Sequence, residues 1–241
     1  MISVAVVGAS GRMGSLAIDL IDADANLKLH AALNSKSDLS QMLGADVVVD
    51  FTLPDVSPKV VEFAVSHGLK IVIGTSGWSE IHLQELRKLL TQHSTAAAVV
   101  IPNFSIGSML AQQFAVQAAK YFDSIEIVEA HHAGKVDSPS GTAVRTAEQI
   151  AAARSGMVQP LVPGVAQPAR GQVVGSVPIH SLRLKGVSAK QDVIFGASNE
   201  LLTISHEVAS HHAYSEGIRR SILFAKDASG LTVGLDQVVA D

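Results

Sequence analysis

The chain has 241 residues, enough for one large domain or two small ones; 47% are hydrophobic and 17% charged, the make-up of a folded chain and not a disordered one. A net charge of −4 with no basic cluster argues against a nucleic-acid partner, and the lack of cysteine removes disulfides and thiolate metal sites, in keeping with a reducing compartment. Residues 1–8 have no basic segment and enter a strand at once, and apolar runs such as 96–101 are too short to span a bilayer, so no signal peptide, no membrane partner and a cytoplasmic location are expected.

Short β-branched runs at 2–7, 27–33, 47–51, 70–73 and 97–101 alternate with helical patterns at 13–21, 58–67 and 80–92. Such alternation predicts βαβ units and a parallel sheet with helices on both faces. A long helix over 107–122 leads into a second unit. Polar and apolar residues then alternate from Ser124 to Glu129, which predicts a strand delivering His131 and His132 to its end. Pro139 stops regular structure, and Ser140 is a natural N-cap for a helix over 142–153.

Pro160, Pro163, Gly164, Pro168, Gly171, Gly175 and Pro178 predict one long loop from 156 to 178. Strands expected at 179–184, 191–195 and 201–206 form an antiparallel or mixed sheet with the histidine-bearing strand, and a helix over 214–224 and an apolar tail over 231–239 close the chain. The fold class is thus α/β: an N-terminal Rossmann-type parallel-sheet domain (1–103 and 213–241) and an inserted α+β domain with a mixed sheet (104–212). The apolar strand residues Val177, Ile179, Val193, Ile194, Leu202 and Ile204 exceed what one helix can cover, so this sheet is expected to pack on its copy in another subunit.

Between the first strand and first helix stands Gly8-Ala9-Ser10-Gly11-Arg12-Met13-Gly14. Gly8 permits a tight turn, Gly11 lets backbone approach a pyrophosphate, and Gly14 lets helix and strand pack closely. The N–H groups of Arg12 and Met13 would receive the pyrophosphate. A merely structural turn is the alternative, and the strand-turn-helix setting favours the dinucleotide. At the end of the second strand, Asn34 and Lys36 stand where an acidic residue would bond a ribose 2′-hydroxyl, so NADH, NADPH or both are expected as cofactor; a plain turn at Asn34 with a solvated Lys36 remains equally open. Phe51-Thr52, Gly74-Thr75-Ser76 and Pro102-Asn103-Phe104 all fall at strand carboxyl ends, where open parallel sheets bind ligands. Turn chemistry explains each alone; their joint occurrence points to a cofactor crevice.

The densest chemistry lies at 129–143, Glu-Ala-His-His-Ala-Gly-Lys-Val-Asp-Ser-Pro-Ser-Gly-Thr-Ala. The N–H groups of Gly141 and Thr142 suit a carboxylate, Lys135 offers a general acid, and the imidazoles add donors. On residue types alone a polar strand-to-helix turn fits as well. Ser205-His206-Glu207 and His211-His212 do not complete a metal site with His131 and His132, because adjacent strand histidines point to opposite faces; no metal is expected.

The run at 129–143 resembles the E-x-H-H-x-x-K-x-D-x-P-S-G-T-A signature of the dihydrodipicolinate reductase family, with the spacing kept throughout, and the likeness extends from the glycine turn to the tail. The segments at 51–52, 74–77 and 102–105 resemble that family's D-F-T, G-T-T-G and P-N-F-S segments, with Ser76 for Thr. The resemblance implies NAD(P)H-dependent reduction of a small cyclic dicarboxylate, 4-hydroxy-tetrahydrodipicolinate, in diaminopimelate and lysine biosynthesis, with hydride added at ring C4 and water lost. It implies His131 and Lys135 as acid/base residues, His132, Ser140, Gly141 and Thr142 as substrate-binding ones, and a homotetramer. Two departures stand out: Asn34 replaces the family's acidic residue, and His211 stands at an arginine position for which Arg170 is a substitute to consider. A related amino-acid dehydrogenase should lack the His-His-x-x-Lys to Ser-Gly-Thr run, and a non-catalytic nucleotide sensor would have no need of Lys135.

Overall fold

Six short strands with nearly unbroken apolar sequences build the first of two sheets. In the computed structural model, which describes residues 1–158 and 167–240, these strands are β1 (Ile2–Val7), β2 (Leu27–Leu33), β3 (Val47–Asp50), β4 (Lys70–Ile73), β5 (Ala97–Val100) and, from the far end of the chain, β11 (Gly230–Val233). All pair in parallel, in the order β11-β5-β4-β3-β1-β2. Every residue of β3 and β5 is buried, because helices cover both faces and no polar side can alternate with an apolar one. On one face α2 (Ser57–Ser66) and α3 (Glu80–Gln92) bring Val60, Val61, Leu83 and Leu86 onto Val7, Val48, Ile71 and Ile73. α1 (Arg12–Ala23) and α6 (Ser215–Asp227) pack together, with α6 also on β3, β4 and β5. The chain reverses direction across the sheet between β1 and β3, the position at which doubly wound folds open a crevice beyond the strand carboxyl ends. This unit comprises Met1–Ile106 and His211–Asp241.

The second unit, Gly107–Ser210, holds a five-stranded mixed sheet. After α4 (Ile106–Ala118) come β6 (Ser124–His132), α5 (Gly141–Ala153), β7 (Gln172–Val174), β8 (Val177–Leu184), β9 (Ala189–Ala197) and β10 (Glu200–Val208). The order is β10-β9-β6-β8-β7; β6 pairs in parallel with β8 and antiparallel with β9. α5 covers one face, where Ala143, Ala147 and Ile150 meet Ile125, Ile127, Ile179 and Phe195, joined by Ala115 and Ala119. Arg154 closes α5, and its buried guanidinium donates to the carbonyls of Ala119 and Phe122 just past α4. That cation also suits the negative end of a helix.

Several sequence expectations change here. The strand expected to deliver His131 and His132 to its end is not among these changes, since β6 runs from Ser124 through His132. The expected loop over 156–178 contains β7 and the first residues of β8; positions 159–166 lie outside the described residues. Gly175 and Ser176, the two residues between Val174 and Val177, are a hairpin turn with Gly175 at φ +61°, so this glycine joins strands where its composition suggested a break. The helix expected over 107–122 ends at Ala118, and the tail resolves into β11 and α7 (Asp236–Val239).

The expectation for the open sheet face also needs correction. Val177, Ile179 and Val193 are buried under α5, and Leu202 and Ile204 share their side because they pair with Phe195 and Val193. Of the six residues expected to face a copy, only Ile194 has the opposite parity. That opposite face instead presents Val173, Leu182, Leu184 and Leu201, each at least 45% exposed.

Candidate active site

The alternation of β6 sends Ile125, Ile127 and Glu129 into the unit and leaves His131 on the same side, two residues on. A carboxylate in that position must be paired, and it is: Glu129, fully buried, accepts from both terminal nitrogens of Arg183 at 2.9 and 3.0 Å, from Nδ1 of His131 at 2.5 Å and from the N–H of Ser140 at 3.2 Å. Burial raises its pKa, but the bonds from Arg183, Ser181 and His131 together outweigh this and hold the carboxyl below its ordinary value. His132, next along the strand, points to the opposite face and is exposed.

Past the strand, Lys135 donates its N–H to the carbonyl of His132 at 3.1 Å, and its ammonium lies 2.7 Å from each carboxylate oxygen of Asp137. The bond from Lys135 is the main reason that the Asp137 carboxyl falls below its usual range. Arg183 donates to the carbonyl of Asp137 at 2.7 Å, so one guanidinium ties the buried carboxylate to the lysine-bearing loop. Ser140 then caps α5, accepting from the N–H of Ala143 at 3.2 Å. With that hydroxyl buried, Ser140 shapes the helix start, while Gly141 is exposed with nothing within 4 Å of where a Cβ would stand. A cavity of about 290 Å³ opens beside this loop against Ser138, Pro139, His180 and Ser181, but neither the two histidines nor Lys135, Gly141 or Thr142 lines it.

In the other unit the glycine turn is as tight as its spacing implies. Gly8 has φ +84°, and the N–H groups of Gly8 and Ala9 both donate to the carbonyl of Leu33 at 2.9 Å. A Cβ on Gly14 would lie 2.2 Å from the Gly8 carbonyl oxygen, which explains how α1 can start against the end of β1. Gly11 precedes α1 without a side-chain cap, no acidic residue occupies the first turn, and Ser10, Gly11 and Arg12 are exposed. An uncapped, exposed helix start without a carboxylate fits a pyrophosphate.

Asn34 lies next to Leu33, and its side-chain oxygen accepts from the N–H of Lys36 at 2.9 Å while its N–H donates to Ser37 at 3.0 Å. It therefore turns the chain; both it and Lys36 are exposed. At the other strand ends, the rings of Phe51 and Phe104 meet edge to face at 5.6 Å across Gly74, where a Cβ would come within 2.3 Å of Phe51. Thr52 donates its N–H and hydroxyl to buried Asp50 at 2.9 and 2.6 Å, Thr75 donates to the carbonyl of Thr52 at 3.3 Å, and Asn103 accepts from the N–H of Ser105 at 2.9 Å. Ser76 is exposed at the rim and Pro102 precedes Asn103. The three segments thus share one end of one sheet.

Residues 2–104 match the family model described as dihydrodipicolinate reductase, N-terminus, and residues 107–239 match the one described as dihydrodipicolinate reductase, C-terminus. The chain belongs to the dihydrodipicolinate reductase family. It is similar to the 4-hydroxy-tetrahydrodipicolinate reductases of Clavibacter michiganensis subsp. michiganensis (52% identity over 237 residues, 98% of this chain and 86% of that protein) and Cutibacterium acnes (44% over 240 residues, 98% of each). Among solved structures, a dipicolinate-bound dihydrodipicolinate reductase from Paenisporosarcina sp. TG-14 covers 99% of this chain with all of its own, at 31% identity and a TM-score of 0.84. An amine dehydrogenase from Mycobacterium smegmatis shares the fold at 10% identity and a TM-score of 0.66. Membership makes the chain an oxidoreductase with NADH or NADPH as cofactor.

Sequence reasoning overlooked Glu129 and Arg183. A signal was present for both: each is a charged residue at the inward parity of an apolar strand, Glu129 after Ile125 and Ile127, and Arg183 after Val177, Ile179 and Ser181. Arg170, the substitute considered for the family arginine, pairs with Glu126 on the sheet face opposite to that of His131. His211 and His212 stack on each other at 4.6 Å in the first unit, and among the described residues no three potential metal-ligating side chains come together.

Proposed function

We propose that this protein reduces 4-hydroxy-tetrahydrodipicolinate to tetrahydrodipicolinate with NADH or NADPH, in the cytoplasm and on the route to diaminopimelate and lysine. The observation that carries this reading is the loop between β6 and α5, which puts a charged ammonium, a half-buried imidazole and an open helix start within eleven residues of chain. When bound, the reduced nicotinamide supplies the hydride, which adds at ring C4 as water leaves. Gly8, Ala9, Ser10, Gly11, Arg12 and Met13 hold its pyrophosphate; Asn34 and Lys36 face the ribose; Phe51, Thr52, Gly74, Thr75, Ser76, Pro102, Asn103 and Phe104 wall the remainder.

Gly141 and Thr142 hold one ring carboxylate at the start of α5, with Ser140 fixing that turn and His132 adding a donor. Lys135 stabilises the negative charge built up on the conjugated imine and supplies a proton, and His131 shares that proton. Asp137 keeps the Lys135 ammonium aimed until substrate competes for it. The two units serve as dinucleotide-binding and substrate-binding domains, and the open face of the mixed sheet joins copies into a homotetramer. No helix among the described residues is long and apolar enough to cross a membrane, which is consistent with a cytoplasmic enzyme. The deciding experiment is a spectrophotometric assay of NADH and NADPH consumption with the cyclic substrate; turnover with neither cofactor would overturn the proposal.

A further inference from the structure

We infer that Glu129 is a positioning residue that fixes the tautomer of His131, so that Nε2 is the one ring atom able to gain and lose a proton, and that the same carboxylate sets the start of α5 relative to that ring. The inference rests on the proposed reductase reading for the use to which Nε2 is put, but not for the geometry. Besides the Ser181 hydroxyl, the two oxygens of Glu129 take four close N–H donors. Oε1 takes Nη2 of Arg183 and the N–H of Ser140; Oε2 takes Nη1 of Arg183 and Nδ1 of His131. The pair of bonds from Arg183 makes Glu129 an ionised, acceptor-only group. Nδ1 of His131 must then carry a hydrogen, because a bare Nδ1 lone pair would face a carboxylate oxygen at 2.5 Å. With Nδ1 committed, proton exchange is left to Nε2.

Through Ser140 the same carboxylate reaches the helix start. The N–H of Ser140 binds Oε1, and the next two residues, Gly141 and Thr142, are those proposed to hold substrate. One buried group with no solvent exposure therefore ties histidine and helix start together, and Arg183 extends the tie to the loop between Lys135 and Asp137. Such buried support fixes the geometry of the groups that do touch substrate.

Glu129→Gln tests this sharply, because the amide cannot satisfy all four donors. With its oxygen at the Oε2 position, its NH₂ opposes both Arg183 and the Ser140 N–H, and neither can become an acceptor. With its oxygen at the Oε1 position, the NH₂ faces Arg183 and His131, and the imidazole relieves its share by moving its hydrogen to Nε2. The variant should therefore invert the His131 tautomer. ¹⁵N NMR of imidazole-labelled protein reads this directly: in the wild type Nδ1 should carry the hydrogen of the neutral ring, whereas Glu129→Gln should show a bare Nδ1.

In the same variant kcat should fall by about 10²-fold, the lower end for lost acid–base help, with a smaller change in KM. An unprotonated Nδ1 in the wild type, which needs no variant to fold, would overturn the inference, as would an unchanged tautomer in Glu129→Gln. An inverted tautomer with unchanged kcat would uphold the role of Glu129 and remove His131 from the reaction instead.

Discussion

The ammonium of Lys135 sits 2.7 Å from both carboxylate oxygens of Asp137, two residues along the same loop. The ammonium is thus held in place by a partner that is itself more than half exposed and free to yield to a substrate carboxylate. Lys135→Ala should lower kcat by roughly 10²–10⁴, the usual scale for losing a general acid, with less change in KM because Gly141 and Thr142 still hold the carboxylate. Dinucleotide affinity should be nearly untouched. Steady-state kinetics check this; near-normal kcat with a greatly raised KM would reduce Lys135 to a binding group.

Cofactor choice turns on Asn34. Asp in its place keeps the oxygen that accepts from Lys36, so the turn survives and only a charge is added. Asn34→Asp should weaken NADPH more than NADH by about 1–2 kcal/mol, through repulsion of a 2′-phosphate in a partly screened site. Binding titrations that show equal losses for both cofactors would mean that Asn34 does not face the ribose.

Gly14 should tolerate no side chain. A methyl 2.2 Å from the Gly8 carbonyl oxygen and 2.8 Å from the Ala9 Cα meets backbone, which cannot swing aside. Gly14→Ala should cost about 1–3 kcal/mol of stability and loosen dinucleotide binding, whereas Gly11→Ala, whose nearest neighbour would be 3.3 Å away, should fold nearly as well as the wild type. Urea unfolding of the two variants decides it.

Acid should weaken the second unit. Burial raises the Glu126 pKa, but the bonds from Arg170 and His180 outweigh it, and Glu129 behaves likewise with Arg183, Ser181 and His131. Because both folded pKa values lie below the unfolded value, these groups add stability at pH above the ordinary carboxylate range, and that stability is lost as pH falls through the lowered values. Unfolding midpoints should therefore drop from about pH 5 downward, and Glu126→Gln should flatten the slope. A slope equal to the wild type's would show that Glu126 gains nothing from its partners.

Val173, Leu182, Leu184 and Leu201 make the open sheet face an expected contact between copies. Leu182→Lys combined with Leu184→Lys should lower the mass measured by light scattering at micromolar concentration from a tetramer towards smaller species. A monomer mass for the wild type would refute the assembly.

Much of this protein was legible as sequence because the relevant rules are local. Short β-branched runs and turn residues placed the parallel strands, and α3 runs over Glu80–Gln92 as expected. The cap at Ser140 is a contact over three residues, and the glycine spacing at 8–14 prescribes a turn that closes on itself. The run at 129–143 carried the family because its residue types and spacing are read directly. Where glycines and prolines cluster, the local rules misled: Gly175 turns a hairpin whose short strand, Gln172–Val174, is too brief to show a pattern.

What the tertiary structure alone decided are relations between residues far apart in the chain. Arg183 reaches Glu129 across fifty-four positions because β8 lies beside β6, and no spacing rule announces that pairing. The covered face of the mixed sheet was settled the same way: parity says that Ile179 and Leu182 point in opposite directions, but only the placement of α5 says which of the two is buried. Local sequence determines which groups a segment can offer, since propensity and periodicity act within a few residues. Which buried charge meets which partner is decided by strand order and register, and these follow from burying the whole apolar surface at once.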